Sequence, residues 1–278
     1  DFSGPVVDDY LVPMAAAIWS SNPAEILDFP AAYFGHFFDN HGLLSVSNRP
    51  QWRTICGGSR EYVKPLVAPF ADKLHLQTPI VEIERSATGA MVTTGAGQQL
   101  SFDAVILACH SDQALAMLKD PSQQEQEILG AIPYEQNETI LHTDISLMPS
   151  RKLAWASWNY HRFHENESQV CVTYDMTRLQ HLQASETLLV SLNATDRIDP
   201  ARILQRIDYQ HPIYNTHSVK ARKRRAEISG INNTYYCGAY WGYGFHEDGA
   251  RSAAAVVDEI RVSSGESASQ SDHRINYA

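Results

Sequence analysis

Apolar and polar positions along the chain follow two different periods. The first fifty residues have a helical pattern, and residues 30–38 carry aromatic side chains at helical spacing, which predicts a helix. Core packing is favoured for this aromatic stripe, and a wall that faces a ligand is the alternative. Between residues 139 and 192 apolar and polar residues alternate instead. This period of two predicts strands of an antiparallel sheet with one covered face, at 139–144, 153–160, 169–174 and 187–192.

The other patterned segments predict an α/β arrangement. Residues 103–109 form an apolar, β-rich run that is typical of a buried parallel strand, and residues 80–84 and 90–94 predict shorter strands. A helix is predicted over 60–70, and another helix is predicted to begin at Asp199.

The composition is that of an ordinary globular protein. Of the 278 residues, 44% are hydrophobic and 19% are charged, and the chain is long enough for a sizeable core. Its formal net charge of −10 repels a phosphate backbone, so nucleic acid is not an expected partner. Basic residues crowd at 220–225, where a patch for nucleic acid or nucleotides and a solvated helix face are both possible interpretations. The solvated helix face is favoured.

Neither a membrane span nor a metal site is expected. No apolar run approaches the ~20 residues that cross a bilayer, and the chain opens without the pattern of a secretion signal. His161, His164 and Glu165 could meet within one turn, but a metal ion needs further ligands, so a polar loop is favoured. The cysteines are far apart and form no C-x-x-C pair: Cys56, Cys109, Cys171 and Cys237. We therefore expect a cytoplasmic, reducing location and no metal.

The last predicted strand, turn and helix carry the clearest chemical signal. A strand at 234–238 leads through a glycine-rich turn into a helix over 249–260. The glycines of this segment are Gly238, Gly242, Gly244 and Gly249. Glycines let a backbone approach a ligand closely, and the N–H groups of a helix N-terminus favour an electron-rich group. The spacing alone leaves two interpretations open, which are a ligand site and a plain capped helix after a tight turn.

Residues 236–253 resemble the C-terminal flavin-contacting motif of the flavin-containing amine oxidase superfamily. The chain is most similar to bacterial proteins described as predicted NAD/FAD-binding amine-oxidase-like proteins. The resemblance covers residues 10 to about 255, and several of its stretches are long and unusual, which makes it specific. These stretches are 11–20, 41–44, 49–63, 105–114, 154–160, 173–180 and 237–249.

The resemblance implies a fold and a domain arrangement. It implies an α/β protein in which a partial FAD/NAD(P)-binding, Rossmann-like domain is interleaved with a substrate domain made of an antiparallel sheet and helices. The substrate domain is expected at 1–49 and 119–228, and the remnant of the FAD-binding domain at 50–118 and 229–262. Residues 263–278 are expected to form a disordered tail.

The resemblance also implies FAD as the cofactor, with contacts carried over position by position. The adenosine half is expected beside two strands, at Ile80, Val81, Ala108 and Cys109. The turn near the pyrophosphate and the ribityl chain corresponds to Gly238 and Ala239. The positions beside the flavin ring and at the helix start that points at it are Gly244, Phe245, His246, Glu247, Gly249 and Ala250. The positive end of this helix would favour the negative charge that builds on the reduced flavin.

The implied activity is hydride transfer from a C–N or C–C bond of a small organic substrate to FAD. The cofactor carries this chemistry, often without a protein acid or base. The candidate side chains are His246, because imidazole groups can transfer protons, and Trp241 and Tyr243, which could frame a substrate before the flavin. Hydrogen bonding to the flavin or to the backbone is an equally open role for His246, and core packing is the alternative for the aromatics. The family name does not establish an amine, and desaturation or isomerisation of a lipid-like or acyl substrate stays open.

One feature of the family is missing from these residues. The family has a G-x-G-x-x-G motif for the ADP moiety at its N-terminus, whereas the early part of this sequence has a single glycine, Gly4. We therefore expect the chain to be the C-terminal part of a longer flavoenzyme. The alternative, from a different class, is a non-catalytic binding module without bound flavin.

Overall fold

The protein is described by a computed structural model that covers residues 4–45, 47, 50–163 and 170–265. His164, Glu165 and residues 266–278 of the expected tail lie outside this described part. Ser263, where that tail was expected to begin, is the last residue of a helix. Among the described residues, no helix is long and apolar enough to cross a membrane, and no group of three or more His, Cys, Asp and Glu side chains is arranged to hold a metal ion.

The secondary structure alternates between helices and short strands. In chain order the helices are α1 (Gly4–Val6), α2 (Val12–Trp19), α3 (Ala31–Asn40), α4 (Arg60–Val67), α5 (Ser111–Met117), α6 (Gln123–Leu129), α7 (Met176–Leu179), α8 (Thr216–Arg222) and α9 (His246–Ser263). The strands are β1 (Ile80–Ser86), β2 (Gly89–Thr94), β3 (Gln99–Phe102), β4 (Val105–Leu107), β5 (Tyr134–His142), β6 (Trp158–His161), β7 (Cys171–Asp175), β8 (Leu189–Leu192), β9 (Ile203–Pro212) and β10 (Thr234–Tyr236).

The chain divides into two compact units, and each unit is built from two segments of the sequence. Unit 1 comprises Asp1–Leu74 and Glu135–His211, and unit 2 comprises His75–Tyr134 and Pro212–Ala278. Helix α4 therefore belongs to unit 1, whereas α6 and α8 belong to unit 2. Which unit takes the cofactor and which takes the substrate stays a prediction.

Helices form the N-terminal part of unit 1, as the sequence pattern predicts. The aromatic side chains of α3 pack around Trp19 at the end of α2. The ring centroid of Trp19 lies 4.9 Å from that of Phe37 and 4.5 Å from that of Phe29. Phe37, Phe38 and Tyr33 are buried, so the aromatic stripe is confirmed as core packing.

Unit 1 also contains a five-stranded sheet with the strand order β6-β7-β8-β5-β9. The pairs β6–β7, β7–β8 and β5–β8 are antiparallel, which confirms the predicted antiparallel sheet. The prediction of a helix that begins at Asp199 is wrong. The carboxylate of Asp199 accepts a hydrogen bond from the Ala201 amide (3.0 Å) in a short 3₁₀ turn, and β9 follows at once. Pairing of β9 beside β5 satisfies the backbone groups that the two strands turn towards each other, and this outweighs the local capping signal.

A hydrogen-bonded row of side chains crosses four neighbouring strands of this sheet. His142 Nε2 lies 2.8 Å from Ser191 Oγ, which lies 2.7 Å from Thr173 Oγ1, which in turn lies 2.8 Å from His161 Nε2. The Asp144 amide donates to His142 Nδ1 (3.1 Å), so Nε2 carries the proton and each hydroxyl donates to the next residue towards His161. Burial lowers the pKa of both histidines, which keeps them neutral at neutral pH.

Unit 2 is built on two small sheets. Strands β1, β2 and β3 form an antiparallel sheet, and β4 pairs with β10 in parallel, with Val105 opposite Thr234 and Leu107 opposite Tyr236. The parallel pairing of β4 is as predicted, but its burial is only partial. Leu107 is buried in the core of the unit, whereas Ile106 is 47% exposed because its face of this two-stranded sheet is only partly covered.

A buried ion pair joins the two sheets of unit 2 to α6. The guanidinium of Arg85 in β1 and the carboxylate of Glu125 in α6 are 1% and 3% exposed and form two hydrogen bonds, one of them 3.0 Å long. The hydroxyl of Tyr236 in β10 donates to Glu125 (2.5 Å), as does the Ser122 amide (2.8 Å). Burial raises the pKa of Glu125, but the hydrogen bonds from Arg85, Tyr236 and Ser122 outweigh it and hold the pKa below its ordinary value. Glu125 therefore stays ionised in the folded protein.

Neither helix α4 nor the following 3₁₀ turn (Ala68–Lys73) has a buried residue. The helix begins at Arg60 as predicted but changes to the 3₁₀ turn before residue 70. Val63 and Leu66 of α4 are 47% and 63% exposed and lie three residues apart on one face of the helix, and Phe70 in the 3₁₀ turn is 43% exposed. Exposed apolar patches are typical of surfaces that another protein element covers.

We predict that Arg85→Met lowers the free energy of unfolding by about 3–5 kcal/mol at pH 7, because it leaves the Glu125 carboxylate buried without its cation. Lys119→Met is the matched control, since its ion pair with Glu84 (2.7 Å) is half exposed and screened by solvent, so its loss should change the stability much less. Urea unfolding of the variants measures both effects. Equal midpoints for the two variants would show that the buried pair does not stabilise the fold.

The same pair predicts the direction of the pH dependence. The folded-state pKa of Glu125 is depressed, so its contribution is present above the unfolded pKa of about 4.3 and is lost as the pH falls through the folded pKa. Glu125→Gln should therefore cost stability at pH 7 and progressively less as the pH falls below about 4.3. A constant difference between wild type and variant from pH 7 to pH 3 would contradict this assignment.

Candidate functional site

The candidate site lies where the two parallel strands of unit 2 end. The amide of Cys237 donates to the carbonyl of Leu107 (3.1 Å), so the segments that follow β4 and β10 leave the sheet at the same edge. These segments contain Ala108–Ser111 and Cys237–Trp241. In open α/β sheets, ligands bind outside the carboxyl ends of parallel strands, which is this position.

Buried polar atoms without partners collect at this edge. Among the described residues, His110 Nδ1, Ser111 Oγ, Tyr240 OH and Trp241 Nε1 are buried and have no partner in good hydrogen-bonding geometry, although Ser111 lies beside Tyr134 and Tyr240 lies beside Trp241. Ser111 and Trp241 are completely buried and Tyr240 is 4% exposed. A buried donor or acceptor without a partner costs about 1–3 kcal/mol, so such groups at one edge favour a bound ligand that supplies partners.

The tyrosines at the edge remain protonated. Burial raises the pKa of Tyr134 to about 12, and its hydroxyl accepts a hydrogen bond from the Ser111 amide (2.9 Å). The imidazole of His110 stacks on the Tyr134 ring, with centroids 4.4 Å apart. Burial also raises the pKa of Tyr240 and of the Cys109 thiol. The edge therefore presents neutral donors, which suit a ligand with carbonyl and hydroxyl groups.

Helix α9 begins next to this edge and is held there by its own side chains. The carboxylate of Asp248 accepts a hydrogen bond from the Phe245 amide (3.1 Å) and closes the turn onto the helix. The hydroxyl of Ser252 accepts from the Gly238 amide (2.8 Å), which ties the second turn of the helix to the end of β10. The N-terminal N–H groups of this 18-residue helix carry the positive end of its dipole, and the carboxylates of Glu247 and Asp248 in the first turn partly offset it.

Two glycines of the turn differ in what they require. Gly244 has a φ of +94°, and a β-carbon there would lie 2.7 Å from the Tyr214 hydroxyl, so the fold itself demands glycine. At Gly249, a β-carbon would come no closer than 3.8 Å to Ala239, which is ordinary contact. The protein thus leaves space at Gly249 that a ligand against the first turn of α9 can occupy.

The structure brings most of the predicted cofactor positions together at this edge. Ala108 and Cys109 follow β4, and Gly238 and Ala239 follow β10. The Gly244 amide donates to the Ala239 carbonyl (3.2 Å), which folds the turn back towards the strand end. The predicted residues at 244–247 are exposed, and Gly249 and Ala250 lie in the first turns of α9.

Ile80 and Val81 lie at the start of β1 rather than at this edge. Ile80 packs against the same core cluster as Cys109, whereas the Val81 side chain is 53% exposed. Their expected adenine contact involves the backbone, and it stays a prediction.

The three candidate catalytic-site residues have different surroundings. Trp241 is completely buried in the core cluster of unit 2, which matches the alternative that the sequence left open for the aromatics. Tyr243 is half-buried, and His246 is exposed as the first residue of α9. Burial raises the pKa of Tyr243, so its hydroxyl stays protonated. A role in framing substrate stays a prediction for Tyr243 and Trp241, and so does a proton-transfer role for His246.

Sequence reasoning missed part of the site. His110, Ser111 and Tyr134 were not assigned to it, although the rule that ligands bind at the carboxyl ends of parallel strands could have indicated His110 and Ser111. The basic cluster at 220–225 was interpreted as a solvated helix face, and this is wrong for two of its members. Arg222 and Arg225 are 2% and 6% exposed, because they donate hydrogen bonds to backbone carbonyls of the turn between β10 and α9 and of β10 itself.

Comparison with known proteins identifies the family. A sequence model of the family "Flavin containing amine oxidoreductase" matches residues 3–141, which is half of the chain. No curated protein sequence is similar enough to match.

Solved structures of flavoenzymes have the same fold. Reduced UDP-galactopyranose mutase aligns with a TM-score of 0.58 at 14% identity, over 95% of this chain and 66% of that chain. Cyclohexylamine oxidase from Brevibacterium oxydans IH-35A aligns with a TM-score of 0.55 at 12% identity, over 90% and 64%. A putrescine oxidase variant redesigned in cofactor binding aligns with a TM-score of 0.52 at 11% identity, over 74% and 53%. The chain spans about half to two thirds of the length of these proteins.

The fold is thus that of the FAD-dependent oxidoreductases. The chain belongs to the flavin-containing amine oxidoreductase family. The predicted family, fold class and flavin cofactor are confirmed. The residues present also fit such a group, because partner-less buried donors, an open first helical turn and an electropositive helix end occur at one edge.

We predict that Gly244→Ala lowers the free energy of unfolding by about 1–2 kcal/mol, because the left-handed backbone penalises a β-carbon. Gly249→Ala is the comparison variant. Its backbone is helical and its new methyl group meets only ordinary contacts, so its stability should be unchanged or slightly higher. Urea unfolding of both proteins decides the matter, and equal stability of the two variants would contradict the assigned turn geometry.

Proposed function

We propose that the chain is the part of an FAD-dependent oxidoreductase in which unit 2 contacts the cofactor and unit 1 contacts the substrate. The observation that carries the proposal is the carboxyl edge of β4 and β10, where buried donors without partners meet the start of α9. Family membership supports FAD as the group that occupies this edge.

Within this proposal the FAD contacts divide between the strand ends and the helix start. Ala108, Cys109, Gly238 and Ala239 would accompany the adenosine and ribityl parts, together with the backbone of Ile80 and Val81. Gly244, Phe245, His246, Glu247, Gly249 and Ala250 would lie beside the flavin ring. His110 Nδ1 and Ser111 Oγ would gain ligand partners.

The chemistry would come from the flavin, which accepts a hydride from a C–N or C–C bond of the substrate. This chain's own residues would bind, orient and exclude water. The N–H groups of α9 would favour negative charge on the ligand, and the protonated Tyr134 and Tyr240 would keep the adjacent wall uncharged. His246 is proposed as a group that donates a hydrogen bond to the ligand or accepts a proton.

The substrate is proposed to be a small organic molecule. Cyclohexylamine oxidase and putrescine oxidase, which share the fold, are named for amines, whereas UDP-galactopyranose mutase is named for a sugar nucleotide. Identities of 11–14% do not carry any of these substrates over to this chain. An amine and a lipid-like or acyl compound are both proposed as classes to test.

A cytoplasmic location and a bacterial origin are also proposed. All four cysteines are free thiols, and two of them, Cys171 and Cys237, are buried, which suits a reducing compartment. The bacterial origin rests on the sequence resemblance alone.

A non-catalytic binding module is the second candidate function. The buried neutral donors at the strand ends favour it, because they suit any ligand with carbonyl and hydroxyl groups and are not specific to flavin. In this case unit 1 would keep its fold and ligand without any flavin in unit 2. The two candidates differ in whether the protein takes up FAD.

Titration of the purified protein with FAD tests the proposal. We predict quenching of FAD fluorescence and a visible flavin spectrum that is retained through gel filtration. Gly249→Ala should weaken FAD binding at least about tenfold without loss of stability, because the methyl group enters the space at the first turn of α9. Gly35→Ala in α3, whose β-carbon would meet nothing within 4 Å, is the control and should bind FAD like the wild type. A colourless protein that takes up no FAD would leave the binding module as the function.

A further inference from the structure

The basic cluster at the end of α8 is built into the turn that forms the candidate cofactor site. Arg222 is the last residue of α8, and Arg225 begins the 3₁₀ turn that follows. Both guanidinium groups are nearly completely buried, whereas the side chain of Arg224 between them is 39% exposed and pairs with Glu227 (2.8 Å). A buried guanidinium is costly unless its donors are used, so the partners of Arg222 and Arg225 indicate their role.

Arg222 binds the middle of the turn. Its Nη1 donates to the carbonyl oxygen of Gly242 and lies 3.5 Å from that of Tyr240. Its guanidinium lies 4.6 Å above the ring of Tyr214, in cation–π contact. Tyr214 also limits the turn at Gly244, because a β-carbon at that position would lie 2.7 Å from the Tyr214 hydroxyl. Arg222 thus holds two nearby carbonyl groups of the glycine-rich turn on the side of α8.

Arg225 binds the two ends of the same segment. Its Nη1 donates to the carbonyl oxygen of Tyr236, the last residue of β10 (3.0 Å), and to Ser229 Oγ (3.1 Å). Its other terminal nitrogen forms an ion pair with Glu259 in α9. A single side chain therefore connects the end of the strand to the helix that follows the turn.

The carbonyl positions determine where the turn's N–H groups point. A peptide group is planar and trans, so the N–H that follows a carbonyl points to the opposite side. The carbonyls of Tyr240 and Gly242 face Arg222, and the amides of Trp241 and Tyr243 therefore face away from α8. The Trp241 amide turns back onto the Gly238 carbonyl (3.3 Å). The arginine thus fixes the orientation of the turn as well as its position.

We propose that Arg222 is a positioning residue of the FAD site, which orients the turn 238–245 and adds a buried positive charge next to it. The identification of the ligand as FAD rests on the proposed function. The claim that Arg222 orders the turn does not rest on it. The charge has the same sign as the electropositive end of α9, so both favour an electron-rich ligand and the negative charge of a reduced flavin. Neither effect needs Arg222 to touch the substrate.

The test compares three variants of the full chain. Arg222→Met removes the charge and both hydrogen bonds, and Arg222→Lys keeps the charge but loses the planar fork that fits two carbonyls and an aromatic ring. Arg224→Met is the control, because it removes a cation from the same cluster without touching the turn. Three quantities are measured for each protein: amide hydrogen exchange of residues 238–246, the dissociation constant of FAD, and the midpoint potential of the bound flavin.

We expect Arg222→Met to speed exchange of these amides at least about tenfold, to weaken FAD binding at least about tenfold and to make the flavin potential more negative. These losses follow from two lost hydrogen bonds of a charged donor. Arg222→Lys should restore the potential and part of the affinity, since its charge remains, and Arg224→Met should match the wild type. A purely structural arginine would instead leave the potential of any flavin that still binds unchanged.

Each outcome decides one proposal. If the Arg222→Met protein does not fold, the Arg222→Lys protein supplies the exchange and affinity measurements. Wild-type exchange and wild-type FAD affinity in the arginine variants would overturn the positioning role. If the wild type itself takes up no FAD, the proposed function fails, and the exchange data alone still show whether Arg222 orders the turn.

Discussion

The parallel pairing of β4 with β10 is the constraint on which unit 2 depends. Only three residue pairs form it, so the pairing needs support from outside the strands. Part of that support comes from Glu125 of the buried ion pair, which accepts a hydrogen bond from the Tyr236 hydroxyl. Arg225 donates a hydrogen bond to the Tyr236 carbonyl. These contacts fix the end of β10 beside the end of β4, so the two loops that follow these strands lie at one edge of the sheet. The candidate site depends on this arrangement of the two loops.

The buried polar groups of unit 2 have two different roles. The Arg85–Glu125 pair is satisfied within the protein and stabilises the fold, whereas the neutral donors at the strand ends are left for a ligand. Unit 1 uses hydroxyl and imidazole groups for a purpose comparable to that of the ion pair, since the row from His142 to His161 crosses its sheet without any formal charge. The ion pair and the row both give buried polar groups their partners, which is the condition for a well-ordered interior.

The sequence predicts this structure well where a pattern is long or local. The alternation between 139 and 192 predicted the antiparallel sheet, and the glycine-rich segment after residue 236 predicted the turn that leads into α9. Prediction from the sequence failed where contacts with distant residues determine the structure. The segment after Asp199 begins with a helix-capping residue, yet it pairs with the free edge of β5 and forms β9. The local sequence contains no signal for that pairing. The arginines at 222 and 225 look solvated in sequence because their partners are backbone carbonyls, which any residue can present. The roles of His246, Tyr243 and Trp241 depend on where a ligand lies, and neither periodicity nor spacing encodes that.

The exposed apolar side chains of α4 and of the 3₁₀ turn that follows it bear on how the protein behaves in solution. Val63, Leu66 and Phe70 make a surface that attracts other apolar surfaces, copies of the same chain included. The net charge of −10 opposes such contacts, because like-charged molecules repel one another. Salt weakens the repulsion over a Debye length of about 10 Å at 0.1 M and leaves the apolar attraction in place. Colloidal stability of the chain is therefore a balance that ionic strength can tip, and dilute, low-salt solutions keep its molecules apart.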